Sequence, residues 1–280
     1  MSQTIKTLNR TAPVIERVRL EPVKRNLIVS EKYYVSPNML RIVVKGEELV
    51  GFNAPGADDN IKMIVPDEAG NMVMRSYTPR RYDASAGELE IDFALHLAGP
   101  ATKWALDVEV GETAIIAGPR GSKRVSGDID RWVMVGDETA IPAMARRLEE
   151  AEAGERITAV ITIPSEEDMQ QIESAADVDY IWVYRDELGV GATDTSSLIR
   201  QLEPMDIRAG VFVWLAAEGG VVRALRTYLT DERGLDRRWI KASGYWVEGE
   251  ADTTAKFDLP LAGRRLVLVA RTIDRVATSF

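Results

Sequence analysis

Residues 75–80 (RSYTPR) contain side chains that are well suited to binding a cofactor. On an extended strand, residues i and i+2 share a face, so Arg75 and Tyr77 can both reach a ligand that lies along it. A guanidinium can bind phosphate, a phenol ring can stack on a flat ligand, and Thr78 can hydrogen-bond to the ligand's edge. These functions together suit a flavin nucleotide. The alternative is a plain edge strand with a solvated arginine and a half-buried tyrosine.

A second string, residues 96–104 (HLAGPATKW), combines a Gly-Pro turn with Ala101 and Thr102. This order suits the start of a helix, where free N–H groups and a hydroxyl can hold a phosphate. The alternative is an ordinary helix with Trp104 packed in the core. His96 continues an alternating strand, in which a lone histidine is more often structural than catalytic.

Two more strings, residues 136–143 (GDETAIPA) and 216–220 (AAEGG), follow apolar runs where a strand is expected to turn into a helix. In open α/β sheets, ligands bind at the carboxyl ends of the strands. The sequence contains neither GxGxxG nor GxxxxGK[ST], so neither the standard dinucleotide fingerprint nor a P-loop is present. A carboxylate metal site at Asp137 and Glu218 is an alternative, but we can place no third ligand.

Two adjacent aromatic residues occur in the string 243–246 (SGYW). Tyr245 and Trp246 follow a glycine, which suits an exposed surface for stacking a ring. Packing in the core or at an interface is an equally good interpretation.

The secondary-structure pattern of the elements that must position these residues changes near residue 125. Short alternating strands separated by turns, such as residues 41–44, 61–66 and 89–95, are typical of a small antiparallel barrel. Beyond that point, apolar strands alternate with helical patterns, which indicates βαβ units and a parallel sheet. One polar helix is predicted at residues 166–173.

We therefore expect an N-terminal antiparallel β-barrel followed by an α/β domain with an open parallel sheet, a plan that is common among flavin reductases. The predicted domains are residues 1–125, residues 126–250 and residues 251–280, an extension of unknown role.

Composition narrows the possible functions. The chain has 280 residues, a net charge of −9, no cysteine and a single histidine. Cysteine nucleophiles, disulfides and thiolate metal sites are excluded, and zinc sites or a Ser-His-Asp triad are disfavoured. The negative charge disfavours nucleic acid as a partner. No signal peptide or membrane span is expected, and the cytoplasm is the expected location.

Six strings occur in one order along the chain: residues 75–80, 96–104, 118–122 (GPRGS), 136–143, 214–226 (WLAAEGGVVRALR) and 243–246. In this order they resemble the siderophore-interacting protein family of the ferredoxin–NADP reductase superfamily. The resemblance implies a ferredoxin reductase-like fold, in which the β-barrel of residues 1–125 binds FAD and the α/β domain of residues 126–250 binds NAD(P)H. It implies that the protein is an FAD-dependent, NAD(P)H-dependent ferric-siderophore reductase. It implies hydride transfer to FAD, followed by single-electron reduction of chelated Fe(III) and release of Fe(II).

The resemblance also implies roles for individual residues, with no catalytic acid or base and no bound metal. The flavin motif corresponds to Arg75, Ser76, Tyr77 and Thr78, with Arg75 on phosphate, Tyr77 against the ring and Thr78 near N5. The second FAD segment corresponds to His96, Ala101, Thr102 and Trp104. The nicotinamide nucleotide is expected at Asp137, Glu138, Thr139, Glu218, Tyr245 and Trp246. The anionic ferric chelate is expected at Lys62, Arg80 and Arg120.

Several alternatives stay open at this point. NADPH, NADH or ferredoxin can be the electron donor, and Arg185 at a predicted strand end can bind a 2′-phosphate or simply be exposed. The family's GYW string is often followed by arginine, whereas Val247 and Glu248 follow it here. The chain can also be a flavin reductase with another acceptor, or a siderophore-binding protein without catalysis.

Overall fold

The computed structural model describes residues 10–95 and 99–249. Its first half consists of strands β1 (Val14–Arg19), β2 (Lys24–Ser36), β3 (Met39–Lys45), β4 (Ile61–Pro66), β5 (Met72–Tyr77), β6 (Pro79–Asp83), β7 (Glu88–Ala94), β8 (Thr113–Ala117) and β9 (Gly121–Ser126). Seven of them form an antiparallel sheet in the order β5-β4-β8-β2-β3-β7-β6, and β1 pairs with β9.

The core of this half follows from alternation along the strands. In β4, Ile61, Met63 and Val65 are almost completely buried, whereas Lys62 between them is half-buried. This is the pattern of a strand with one face on a hydrophobic core. Helix α1 (Pro100–Asp107) contacts both β4 and β7.

The second half is a parallel sheet in which strands alternate with helices. Its strands are β10 (Arg131–Asp137), β11 (Arg156–Ile163), β12 (Asp177–Tyr184), β13 (Val211–Glu218) and β14 (Ile240–Trp246). Its helices are α2 (Ile141–Glu149), α3 (Arg185–Leu188), α4 (Ser196–Leu202) and α5 (Gly219–Thr227), followed by a π turn at Tyr228–Glu232. Short 3₁₀ turns lie at Glu47–Leu49, Glu138–Ala140, Glu166–Asp168 and Arg237–Trp239. The predicted fold class is confirmed.

The strand order in this sheet, β12-β11-β10-β13-β14, creates a crevice. From β10 the chain first proceeds outward through β11 and β12, and then returns to the other side of β10 as β13. Ligands of open α/β sheets bind outside the carboxyl ends of the strands where the order reverses in this way. Asp137 and Glu218, the last residues of β10 and β13, lie at this reversal.

The predicted helix at residues 166–173 is wrong. Only the 3₁₀ turn Glu166–Asp168 forms there, and Ile172 is buried in an irregular connection to β12. Asp168 explains the difference, because its carboxylate accepts hydrogen bonds from Ser36 Oγ at 3.0 Å and from Asn38 N and Nδ2 at 2.9 Å each. These contacts fasten the turn to the first half of the chain, so tertiary contacts act on this segment beside its local pattern.

Buried polar contacts join the two halves. Arg80 donates to Glu149 of α2, with one bond of 2.8 Å from Nη1 to Oε2. Arg146, also in α2, donates to the carbonyl oxygens of Pro79 at 3.1 Å and Ala54 at 2.8 Å. The predicted boundary between residues 125 and 126 coincides with the end of β9, and the domain limits stay a prediction.

Candidate functional site

The flavin motif lies on β5, an edge strand of the seven-stranded sheet. Arg75 is opposite Met63 of β4, and Tyr77 is opposite Ile61. Residues directly opposite each other in an antiparallel pair share a face. Arg75 and Tyr77 therefore lie on the same side of the strand pair, both half-buried at the margin of the hydrophobic core.

Two other predicted residues are on the opposite face of the same strands. Ser76 pairs with Lys62, and both are half-buried. Thr78, immediately after β5, is buried with 7% of its surface exposed. The structure thus separates Lys62 from the face that carries Arg75 and Tyr77, although the residues are neighbours in the sheet.

Aromatic contacts connect the flavin motif to the second predicted string. The ring centroid of Tyr77 is 4.3 Å from that of Phe93 in β7, and Phe93 is 5.8 Å from Trp104 in α1. Burial raises the pKa of the Tyr77 phenol, so the phenol stays neutral at physiological pH. Two strings separated in sequence are therefore brought together around one fully buried phenylalanine.

Helix α1 begins beside these rings without a capping side chain. Gly99 is its N-cap, makes no side-chain cap hydrogen bond, and is followed by Pro100 in the first turn. Ala101 and Thr102 in that turn are buried. The N–H groups at a helix start are suited to bind an anion when no side chain caps them.

The chemistry of this donor set fits FAD. Arg75 and the start of α1 offer positive charge and N–H groups for two phosphates, and Tyr77 offers a half-buried ring face for the flavin. Trp104 supports this arrangement through Phe93. His96, which the sequence placed in the same site, lies outside the described residues.

The second part of the site is the turn that follows β10. Asp137 caps the 3₁₀ turn Glu138–Ala140, and its Oδ1 accepts hydrogen bonds from Thr139 N at 3.0 Å and from Thr139 Oγ1. Gly136 is required there, because a Cβ would lie 2.8 Å from Ala140 Cβ and from Met144 Sδ. The turn contacts β7, so the two halves of the molecule meet at this point.

Asp137 joins the ends of three strands. Its Oδ2 accepts hydrogen bonds from Glu218 N of β13 at 3.0 Å and from Trp246 Nε1 of β14 at 2.8 Å. Burial raises the pKa of Asp137 to about 6, with a further contribution from the charge of Glu138. The hydrogen bonds from Thr139 and Trp246 oppose that rise.

The other predicted acidic residues are also occupied by internal contacts. Glu138 accepts two hydrogen bonds of 2.8 Å from Arg185, which is 7% exposed. Glu218 caps α5, since its Oε2 accepts from Val221 N at 2.9 Å. The alternative of a metal site at Asp137 and Glu218 loses support, because both carboxylates already hold backbone N–H groups.

Of the two interpretations of residues 245 and 246, packing applies to Tyr245, and neither side chain is fully exposed. Both side chains are half-buried, and Tyr245 packs against the core on the α2 side of the sheet. Its buried hydroxyl has no hydrogen-bond partner among the described residues. Burial raises the pKa of this phenol well above its usual value, and the charges of Asp58 and Asp137 add to the rise.

The basic residues predicted for the chelate differ in burial, and one of them is already paired. Arg80 is 8% exposed and is committed to the ion pair with Glu149, so we withdraw it as a substrate contact. Arg120 is exposed beside β9, and its carbonyl oxygen accepts from Leu20 N at 3.2 Å. Arg185 is likewise buried in its pair with Glu138 and is not a surface residue.

Sequence reasoning missed Phe93 and the contacts between the two halves. Phe93 was visible only as an apolar position in an alternating strand, which does not identify it as a support for Tyr77. Lys241 and Asp58, which form a buried ion pair, are 183 residues apart and carry no local motif.

No helix among residues 10–95 and 99–249 is both long and apolar enough to cross a membrane.

Comparison with known proteins agrees with this geometry. The model of the "siderophore-interacting FAD-binding domain" matches residues 28–73 and 66–123, and that of "siderophore-interacting protein" matches residues 129–249. An NADPH-dependent ferric-chelate reductase from Escherichia coli K12 is 30% identical over 261 residues, covering 85% of this chain and 99% of that protein. Ferric vibriobactin reductase ViuB from Vibrio cholerae is 29% identical over 238 residues, covering 78% and 88%.

A solved structure shows the same architecture. The siderophore utilization protein from T. fusca superimposes with a TM-score of 0.78 at 30% identity, covering 86% of this chain and 98% of that one. The family matches span both halves of the molecule, including the flavin motif and the turn after β10. This chain belongs to the siderophore-interacting protein family, and its first half is an FAD-binding domain.

Proposed function

We propose that the protein is a reductase that uses NADPH or NADH, through FAD, to reduce Fe(III) bound in a siderophore. The observation that carries this proposal is the contact between β7 and the turn Glu138–Ala140. It brings β7, whose Phe93 packs against Tyr77, next to the crevice of the parallel sheet, which is the arrangement that electron transfer between a nicotinamide nucleotide and FAD needs. The names of the E. coli and V. cholerae relatives support a ferric chelate as the acceptor.

In this proposal the protein's residues bind and orient, and none transfers a proton. Arg75 and the start of α1 hold the FAD phosphates, while Tyr77, held by Phe93, supports the ring. When bound, FAD accepts a hydride and releases electrons singly, which matches a two-electron donor to a one-electron acceptor. A chain with one histidine and no cysteine suits a reaction that depends on positioning.

We place the nicotinamide nucleotide at the crevice beside Thr139. This residue follows Asp137 and Glu138 in the turn after β10. Asp137 and Glu218 hold backbone N–H groups at the crevice, and Glu138 is paired with Arg185. NADPH is the donor named for the E. coli relative. Ferredoxin as donor, and a location in the cytoplasm, stay predictions.

We place the ferric siderophore near Lys62 and Arg120. An anionic chelate needs local positive charge on a molecule whose net charge is −9. Reduction loosens the bound metal, because Fe(II) is a weaker partner than Fe(III) for hard oxygen ligands.

Steady-state oxidation of NADPH and NADH with different acceptors tests the proposal. We expect turnover with ferric catecholate or hydroxamate siderophores to exceed that with a quinone at equal concentration. Faster turnover with the quinone, and none with any ferric siderophore, would contradict it.

A further inference from the structure

Asp137 receives hydrogen bonds from three different elements at the carboxyl edge of the parallel sheet. The donors are Thr139 in the turn after β10, the backbone of Glu218 at the end of β13, and the indole of Trp246 at the end of β14. Only 1% of Asp137 is exposed. The last of these bonds spans 109 positions of sequence and is made by a side chain rather than by backbone.

The pairing of β14 with β13 shifts in register just before Trp246, which carries this indole. Ala217 pairs with Gly244, but Glu218 pairs with Trp246, so the register shifts by one residue at Tyr245. A bulge of this kind re-aims side chains and is common next to functional sites. Without the shift, Tyr245 would be opposite Glu218, and Trp246 would not end β14 in register with the end of β13.

We propose that Asp137 is a positioning residue that holds the indole of Trp246 at the crevice, and that the Trp246 ring contacts the nicotinamide nucleotide there. The proposal rests on the proposed function for the identity of that nucleotide. It replaces the direct contact from Asp137 that the sequence suggested, because the carboxylate already holds donors from the turn, β13 and β14.

The charge state of Asp137 controls how firmly the indole is held, because a carboxylate is a stronger acceptor than a carboxylic acid. The ionisable groups around it are Glu138 in its own turn, Glu218 of β13 and Tyr245 of β14. Arg185 of α3 neutralises Glu138. From β11, the register partner of Asp137 is the uncharged Thr162.

A double-mutant cycle tests the coupling. We expect Asp137→Asn and Trp246→Phe each to weaken binding of NADPH or NADH, whichever binds the wild-type holoprotein more tightly, by about tenfold, with kcat changed less than about threefold. The double variant should bind no more weakly than either single variant, because both remove the same contact. Losses that multiply in the double variant would overturn the proposal.

Tryptophan fluorescence supplies a readout that does not depend on turnover. The contribution of Trp246 is the difference between wild-type protein and Trp246→Phe. We expect this difference to titrate between pH 5 and 7 in wild-type protein, and the corresponding difference measured in the Asp137→Asn background to be flat. Identical titrations in both backgrounds would overturn the role of Asp137.

Asp236→Asn is the matched control, since Asp236 also caps a 3₁₀ turn but lies before β14, at its other end. It should leave nucleotide affinity unchanged. If Asp137→Asn does not fold, Trp246→Phe still decides the ring contact, because undiminished nucleotide affinity in that variant overturns it. Failure of the proposed function shows differently, as intact nucleotide binding without ferric-siderophore turnover.

Discussion

The ammonium group of Lys241 in β14 donates to Asp58 Oδ1 at 2.8 Å and ties the last strand of the parallel sheet to the loop before β4. The two side chains are only 8% and 12% exposed. β4 in turn pairs with β5, which carries Arg75 and Tyr77. The ion pair therefore links the edge of the parallel sheet to the loop that leads into β4 and β5.

Breaking this ion pair should lower the free energy of unfolding. Asp58→Ala leaves the Lys241 ammonium buried without its carboxylate, and we expect a loss of about 3–5 kcal/mol in the free energy of unfolding. The double variant Asp58→Ala, Lys241→Met removes both charges and should recover part of that loss. Urea unfolding measures both. A double variant less stable than Asp58→Ala alone would show that the ion pair is not the cause.

Arg75→Ala should lower FAD occupancy of the purified protein, because it removes a cation from the proposed phosphate site. The absorbance ratio of flavin to protein measures occupancy, and we expect a fall of about tenfold in FAD affinity, close to the value of one charge-assisted hydrogen bond. Arg81→Ala, at an exposed position on the next strand, is the control and should keep its flavin. An unchanged spectrum for Arg75→Ala would remove that residue from the FAD site.

Lys62→Ala should raise KM for an anionic ferric siderophore several-fold and leave FAD content intact. The effect should shrink as salt concentration rises, because screening weakens a surface charge contribution. Lys62 and Arg75 point to opposite faces of one strand pair, so their variants should separate chelate turnover from flavin binding. Equal loss of flavin in Lys62→Ala would contradict this division.

Asp137 should make the free energy of unfolding decrease as pH rises. Its pKa of about 6 in the folded protein lies above the usual aspartate value of 3.8, so the folded state binds the proton more tightly than the unfolded state. The resulting stabilisation is complete below about pH 4 and is lost as pH rises through 6. Relative to Asp137→Asn, the wild-type free energy of unfolding should fall by up to about 3 kcal/mol across that window. A flat difference, or a rise, would contradict the assignment.

The fold could be predicted from the sequence because the spacing of apolar residues differs between its two halves. Alternation in β4 and β7 and the continuous apolar runs of β11 and β13 are both direct consequences of how many faces of each sheet are buried. The helix predicted at residues 166–173 failed for a tertiary reason, since Asp168 bonds to Ser36 and Asn38 in the other half of the chain. No local pattern contains that information.

The candidate site was predictable where its residues are close in sequence. Arg75 and Tyr77 share a face because they are two apart on a strand, and the start of α1 follows from the Gly-Pro pair at residues 99 and 100. The use of Arg80 and Arg185 in buried ion pairs was not predictable, because their partners are 69 and 47 positions away. Both arginines were predicted as candidate ligand contacts because of their positive charge.

An anaerobic titration followed by visible absorbance tests the central claim most directly. Purified protein should be yellow, lose its flavin absorbance when NADPH or NADH is added, and regain it when a ferric siderophore follows. Electron balance predicts two Fe(II) per nucleotide oxidised, measured with a ferrous chelator. A colourless protein that cannot be loaded with FAD, or a reduced flavin that ferric siderophores do not reoxidise, would contradict the account.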